Sequence, residues 1–249
     1  MAVTTTQHFT LARRVTAESV GTALLLAAVV GSGMMGERLA GGNVAVALLA
    51  NTLATGAALV ALILTFGPIS GAHFNPAVTL ADAWQGGRPW GEVPAYVGAQ
   101  VVGAFVGVAA AHVMFEAPLF FASRHARAGG AQMFSEFVAT FGLLAVIWGC
   151  ARRRAPVVAF AVAAYITAAY WFTASTSFAN PAVTLARAAS DTFAGIRPAD
   201  APGFILAQLL GAAAATTLFR WLVPSLPDVA ADVVLSERRT DEPVDFRSA

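Results

Sequence analysis

Long apolar blocks dominate the pattern of hydrophobic and polar positions along the chain. The blocks cover residues 15–36, 44–66, 93–115, 133–151, 156–174 and 202–223. A helix of about 20 apolar residues crosses a bilayer, so the pattern predicts six transmembrane helices. The first block is too long for a cleaved signal peptide and is not followed by a clear cleavage site. From Asp228 the chain becomes a dense mixture of Asp, Glu and Arg, which predicts a poorly ordered tail over 228–249.

The two halves of the chain repeat each other. Asn75–Ala81 reads Asn-Pro-Ala-Val-Thr-Leu-Ala and recurs unchanged as Asn180–Ala186. Glu18-x-Val-x-Thr22 likewise matches Glu136-x-Val-x-Thr140. Each half holds three predicted spans, and because three is odd, the second half enters the membrane from the opposite face. We therefore predict an inverted repeat within one channel domain over 1–227, with halves at about 11–116 and 130–227 and a functional site where they meet.

Each repeated motif predicts a short helix that enters the membrane without crossing it. Asn favours the N-cap position and Pro the first helical position, so a helix of about nine residues begins at each motif. The N-termini of the two helices meet at the midplane, and each carries roughly half a positive charge, which repels cations and protons. The side-chain amides of Asn75 and Asn180 can donate hydrogen bonds to a passing neutral molecule. The predicted pore motifs are Asn75, Pro76, Ala77, Asn180, Pro181 and Ala182.

Composition and charge narrow the class of protein. Hydrophobic residues make up 57% of the chain and charged residues 12%, which excludes a disordered protein and a nucleic-acid partner and argues against an ordinary soluble enzyme. One cysteine, Cys150, excludes an internal disulfide and a multi-cysteine metal site, and nothing indicates a metal or a cofactor. All 15 basic residues are Arg, and most lie on one side of the six predicted spans. This asymmetry predicts an inner (plasma) membrane protein with both termini in the cytoplasm.

Three ionisable residues inside the apolar regions have competing interpretations. Glu18 and Glu136 could relay protons, but their symmetric positions favour carboxylates that accept backbone N–H groups from the loop before each half-helix. His73 precedes Asn75 by two residues and either lines a pore vestibule or packs within the loop. A pH gate at this histidine is a further alternative.

The paired motifs resemble those of the aquaporin and aquaglyceroporin family of membrane channels, over about residues 15–223. The resemblance implies an all-α membrane protein with six transmembrane helices and two re-entrant half-helices. It also implies a homotetramer, surrounded by membrane lipid, in which each subunit conducts small neutral solutes and water without a cofactor. The family usually has Arg directly after the second Asn-Pro-Ala, whereas this chain has Val183. Arg187 lies one helical turn further on and is not assumed to fill the same role.

Counting from the two motifs places the selectivity filter at Thr55, Ala168, Ser177 and Val183. Water-selective members have an aromatic residue and a His at the first two positions, so this filter is expected to be wide and less polar. A valine in this position resembles bacterial aquaglyceroporins linked to arsenic resistance. The resemblance implies conduction of glycerol-sized polyols and of trivalent metalloid hydroxides such as arsenite, together with water.

Other functions remain as alternatives at this point. The first is an aquaporin that conducts mainly water. A more distant one is an ion-coupled secondary transporter, since broken helices and inverted repeats also occur in that class. An intramembrane enzyme would need an activated nucleophile with a partner, and the spans do not offer one in symmetric positions. A purely structural junction protein would show no permeability at all.

Overall fold

The computed structural model describes residues 9–150 and 155–225, and the side chains of all of these except 155 and 156. The predicted tail over 228–249 and the arginines at 152–154 lie outside the described residues. The described chain forms eight α-helices, numbered in order. They are α1 (Leu11–Leu39), α2 (Val44–Ser70), α3 (Pro76–Gln85), α4 (Val93–Met114), α5 (Gly130–Cys150), α6 (Ala155–Phe172), α7 (Pro181–Arg187) and α8 (Ala201–Leu222).

Each half of the chain contributes three long helices and one short one. Helices α1, α2, α4, α5 and α8 are long and apolar enough to cross a membrane, and α6 is a shorter apolar helix over its described residues. The short α3 and α7 begin at the two prolines of the repeated motifs. Among the described residues there is no β-strand. The predicted fold class, six spanning helices with two re-entrant half-helices, is therefore confirmed.

Local capping explains where several helices begin and end. Thr10 and Asn43 cap α1 and α2 by accepting hydrogen bonds from backbone N–H groups of the first turn. Helix α2 ends at Gly71, whose φ of 98° is the left-handed conformation that glycine adopts without strain. Several helices extend beyond the apolar blocks, because an N-cap or C-cap, and not the membrane boundary, sets where the backbone hydrogen bonding stops.

The same pairs of helices pack in both halves. Helix α1 packs against α2 and α4, and α5 packs against α6 and α8. Glycine allows the closest approaches, because a Cβ added at Gly103 of α4 would collide with the backbone of Ser19. Gly211 of α8 occupies the corresponding place against the backbone of Phe137. The halves then join through α2 with α6, α3 with α8 and α4 with α7, which brings α3 and α7 together in the interior.

Candidate functional site

The two repeated asparagines tie the half-helices together. Nδ2 of Asn75 donates to the carbonyl oxygen of Ala179 at 2.8 Å, and Nδ2 of Asn180 donates to that of Phe74 at 2.8 Å. Each side chain therefore crosses to the loop of the other half. A carboxamide group carries two N–H donors, and each asparagine uses one of them in this exchange. The other N–H remains for a molecule at the junction.

The same side chains cap their own helices. Oδ1 of Asn75 accepts from the backbone N–H of Ala77 at 2.9 Å. Oδ1 of Asn180 accepts from the N–H groups of Ala182 at 3.0 Å and Val183 at 3.2 Å. The proline after each asparagine has no N–H and needs no partner in the first turn. The N-terminal ends of α3 and α7 thus face each other across the asparagine pair.

The loops that lead into the two half-helices adopt an unusual backbone conformation. Ala72 and Phe74 have φ of 48° and 49°, and Ser177 and Ala179 have φ of 51° and 48°. Residues with a Cβ seldom occupy this left-handed region, and each one costs of order 1–3 kcal/mol. The strained positions recur at equivalent places in both halves. Other interactions must hold both loops in this conformation.

Glu18 is one of the groups that hold the first loop. Its side chain is fully buried in α1, and its two oxygens accept from the backbone N–H groups of His73 at 2.9 Å and Phe74 at 2.7 Å. Ser70 Oγ and Gln100 Nε2 donate to the same carboxylate at 2.7 and 2.8 Å. Four donors saturate the carboxylate. These contacts are those expected for loop support.

Glu136 of α5 makes the corresponding contacts in the second half. Its oxygens accept from the backbone N–H groups of Phe178 at 2.9 Å and Ala179 at 2.8 Å. Gln208 Nε2 donates to it at 2.6 Å and also to Thr184 Oγ1 at 2.8 Å. Gln208 therefore links the carboxylate to α7. Gln100 makes the same two contacts in the first half, to Glu18 and to Thr79 Oγ1.

Three of the four predicted filter residues lie in the interior. Thr55, Ser177 and Val183 are each at most 5% exposed, on α2, on the second loop and on α7. Ser177 and Val183 flank the capping residue Asn180 in sequence. The apolar Val183 side chain thus stands in the first turn of α7, beside the junction of the half-helices.

The fourth position, Ala168, lies elsewhere. Ala168 is exposed on α6, on the same stripe as Phe160 and Trp171, which are 59% and 48% exposed. Tyr170, two residues later, faces the interior and is 3% exposed. Its hydroxyl oxygen lies 3.3 Å from Oγ1 of Thr55. The structure therefore brings Tyr170, and not Ala168, to Thr55. Counting residues from the motifs selects a position along the chain, but it does not determine which face of α6 turns inward.

His73 also departs from the expected vestibule position. Its side chain is 1% exposed and lies under the first loop. Nδ1 is 3.0 Å from Oγ1 of Thr79, and Nε2 is 3.6 Å from Oδ2 of Asp82. The ring packs against Tyr96, with 5.9 Å between ring centroids. His73 therefore packs within the loop, which was the alternative interpretation.

Two buried arginines lie beside the second loop, and the sequence did not indicate that Arg127 is one of them. Arg127, in the loop between α4 and α5, is 8% exposed, and Arg187, at the end of α7, is 2% exposed. The Cζ atom of Arg187 lies 3.4 Å from the ring centroid of Phe178, and that of Arg127 lies 5.1 Å from it. In the sequence Arg127 is one more loop arginine, and its approach to Phe178 depends entirely on the tertiary fold.

In the described parts of the chain, no three His, Cys, Asp or Glu side chains come close enough to hold a metal ion. The arrangement as a whole is a membrane-embedded junction of two loops and two helix N-termini. Its donors are neutral amides and guanidinium groups, and its carboxylates are engaged by the backbone. It offers no nucleophile with an activating partner, and it is suited to contact a molecule that passes through.

Comparison with known proteins agrees with this geometry. Residues 5–157 and 152–241 match the family model described as Major intrinsic protein. The chain is 55% identical over 222 residues to aquaglyceroporin AqpS of Rhizobium meliloti (strain 1021), covering 89% of this chain and 95% of that protein. It is 38% identical over 142 residues to aquaporin NIP1-3 of Oryza sativa subsp. japonica, covering 56% of this chain and 49% of the plant protein.

A solved structure shares the fold. The aquaglyceroporin from Plasmodium falciparum superposes with a TM-score of 0.68, over 88% of this chain and 100% of that chain. The two sequences are 22% identical, so this match bears on the architecture of the bundle alone.

Proposed function

The chain belongs to the major intrinsic protein family of membrane channels, and from this premise we propose that it conducts glycerol-sized neutral solutes passively, with water as a co-permeant. We include trivalent metalloid hydroxides such as arsenite among these solutes. The observation that carries the solute class is Val183, an apolar side chain in the first turn of α7 beside the asparagine pair. The relative named aquaglyceroporin, at 55% identity, supports this class over a channel for water alone.

The junction suits neutral polyhydroxy molecules. Asn75 and Asn180 each keep one amide N–H that can donate to a hydroxyl oxygen, while the facing helix N-termini disfavour cations. Neutral As(OH)3 is shaped like a small polyol, so a pore that passes one is expected to pass the other.

We further propose that the filter consists of Thr55, Tyr170, Ser177 and Val183. In this set the hydroxyl groups of Thr55 and Tyr170 give the filter a polar wall, and Val183 gives it an apolar one. A polyol has hydroxyl groups on one side of its carbon chain and C–H groups on the other. Such a solute can satisfy both walls, whereas water gains little from the apolar one.

The remaining parts of the proposal concern the whole chain. Residues 1–227 form one channel domain and 228–249 a cytoplasmic tail. The protein is a homotetramer in the plasma membrane, with both termini in the cytoplasm. The arginine distribution along the sequence supports this orientation.

A solute panel in proteoliposomes tests the function. The purified full-length chain is reconstituted, and uptake of water, glycerol, urea and arsenite is compared with that of empty liposomes by stopped-flow light scattering and arsenic analysis. Glycerol and arsenite are expected to enter faster than in empty liposomes, without accumulation against a gradient. If only water is accelerated, the chain is a water channel. Accumulation against a gradient would instead indicate coupled transport.

The Val183→Arg variant tests the filter assignment. A guanidinium group at this position narrows the pore and makes it more polar, so the ratio of glycerol to water permeability is expected to fall. The control is Leu39→Arg, because Leu39 is the last residue of α1, is 77% exposed and follows Arg38, so an added cation there lies outside the apolar span. An unchanged ratio in Val183→Arg would show that the filter lies elsewhere.

A further inference from the structure

Arg127 is an unusual residue for a connecting loop, because its charged group is buried against the second half of the chain. Nε donates to the carbonyl oxygen of Gly195 at 2.8 Å, and Nη1 donates to that of Ser175 at 3.1 Å. Nη1 also lies 3.4 Å from Oγ1 of Thr176. Burial lowers the pKa of Arg127 to about 10, so the guanidinium still carries its charge at neutral pH. Its contacts lie in the two segments that flank the α7 half-helix.

A second cation lies beside it. The guanidinium of Arg187 stacks on the same Phe178 ring, and Nε donates to the carbonyl oxygen of Ala194. Tyr170 lies near both arginines, as does the carboxylate of Glu136, which is committed to the loop backbone. Placing two like charges together in a buried site costs free energy that neutral side chains with the same hydrogen-bonding contacts would not incur.

Arg127 and Arg187 lie beside the proposed filter, whose own four side chains carry no charge. Ser175 and Thr176, which Arg127 contacts, directly precede the filter residue Ser177 in the strained loop. The hydroxyl oxygen of Tyr170, which lies near both arginines, is 3.3 Å from Oγ1 of Thr55. Among the hydrogen bonds of the described residues, none involves Nη2 of Arg127. That nitrogen remains a donor for an oxygen atom at this level of the molecule.

We propose that Arg127 is a selectivity-determining residue, which brings a fixed positive charge from the α4–α5 loop to the filter. This inference rests on the proposed channel function. With Arg187, it repels protons and metal cations and donates to the hydroxyl oxygens of neutral solutes. In the orientation that we propose, Arg127 acts at the outer end of the filter. Val183 therefore keeps the filter wide, while Arg127 supplies the positive charge that Val183 lacks.

The principal test removes the charge of Arg127 and preserves hydrogen bonding. In Arg127→Gln the amide nitrogen takes the position of the guanidinium Nε and can still donate to the carbonyl oxygen of Gly195. Arg124→Gln is the matched control, because Arg124 lies three residues earlier in the same loop, its side chain is 90% exposed, and it bonds only Asp191 among the described residues. Water, glycerol and proton fluxes are measured on full-length protein in proteoliposomes, with a trapped pH-sensitive dye for protons.

The expected result is a rise of roughly tenfold or more in proton flux for Arg127→Gln, because the loop before Ser177 loses a unit charge, and one unit charge in a partly buried site contributes more than one tenfold step. Arg124→Gln is expected to match the wild type. Arg127→Lys keeps the charge and is expected to keep proton exclusion, while its glycerol flux falls because the two-carbonyl geometry is lost. If Arg127 had only a structural role, Arg127→Gln and Arg127→Lys would change the water, glycerol and proton fluxes to the same extent.

A rescue variant separates the charge from the fold. Adding Val183→Arg to Arg127→Gln returns a cation to the filter and is expected to restore proton exclusion, even if the loop is loosened. If Arg127→Gln conducts water normally and excludes protons as well as the wild type does, the proposal is wrong and the channel function stands. A wild-type protein that conducts none of the solutes would instead overturn the channel function itself.

Discussion

At the scale of single residues, the site depends on polar side chains that each satisfy several partners. Asn75 caps α3 through its oxygen and reaches Ala179 through its nitrogen. Glu18 and Glu136 accept the backbone N–H groups of loops whose left-handed residues cannot satisfy them by regular structure. In a membrane interior no water replaces a lost hydrogen-bond partner. An apolar residue of equal size at any of these positions would therefore leave backbone groups of the loops without partners.

Replacing Glu136 by Gln tests this dependence. The amide has one acceptor oxygen where the carboxylate has two, and its NH2 group would face the N–H groups of Phe178 and Ala179. We expect a loss of roughly 2 kcal/mol of stability or more, because hydrogen bonds to charged groups contribute about 1.5–3 kcal/mol each. Thermal unfolding in detergent, followed by size-exclusion chromatography, measures it. The exposed Glu37→Gln is the control, and equal melting temperatures for the two variants would contradict the prediction.

Substitutions on α6 test which residue belongs to the filter. Tyr170→Ala removes a ring that contacts Thr55 from the interior, so the largest solute that passes is expected to increase. Ala168→Leu adds volume on the exposed stripe and is expected to leave all permeabilities unchanged. Swelling assays with polyols of increasing length measure the cut-off. A reduced glycerol flux in Ala168→Leu would return position 168 to the filter.

At the scale of elements, glycine contacts set the distance between the helices that hold the half-helices. Gly103 brings α4 against the backbone of Ser19 on α1, and Gly211 brings α8 against Phe137 on α5. Gln100 and Gln208 project from α4 and α8 to the carboxylates on α1 and α5. Close packing therefore places the loop supports as well as stabilising the bundle. Within each half, the same glycine contact thus affects both the stability of the bundle and the position of the glutamine that supports the loop.

Substitution of Gly103 by Ala tests this coupling. The new methyl group would collide with the carbonyl oxygen of Ser19, and overpacking of this kind costs about 1–3 kcal/mol. Gly98→Ala on the same helix has open space around the added carbon and is expected to stabilise α4 slightly. Melting temperature and water permeability are measured together. Gly103→Ala is expected to lower both, and a variant as stable and active as Gly98→Ala would contradict the close contact.

At the scale of the whole molecule, the surface of the described bundle is rich in large apolar side chains. Among them, Leu24, Leu53, Val102, Phe160 and Trp171 are 48–59% exposed. Such surfaces are stable only against lipid or against another subunit. The interior, in contrast, holds the polar groups of the site. Apolar side chains thus cover the surface of the bundle and also fill most of its core, which explains the low content of charged residues.

The proposed homotetramer can be tested directly by measuring the mass of the assembled protein. The full-length chain in mild detergent or lipid nanodiscs is expected to have the mass of four subunits, which native mass spectrometry determines. Each subunit is expected to conduct independently, so mixing wild-type and inactive chains should lower flux in proportion to their ratio. A monomeric mass with full solute permeability would show that the assembly is not needed for the pore.

Sequence alone determined the six spans, the inverted repeat and the two half-helices. These features depend on local properties: apolar length, the Asn-Pro pair that begins a helix, and identity between the halves. It also pointed to Glu18 and Glu136, because a carboxylate at equivalent places in two membrane spans demands donors, and the strained loops supply them.

Only the tertiary structure decided which side chains meet at the proposed filter. The face that α6 turns inward depends on its packing against α2 and α5, so counting along the chain selected Ala168, where the fold presents Tyr170. His73 is buried beneath its loop, where it contacts Thr79 and Asp82. Arg127 reaches Ser175 from a distant loop. Contacts between segments far apart in sequence leave no periodic pattern, because they are set by the relative positions of helices and not by the local preferences of the residues that make them.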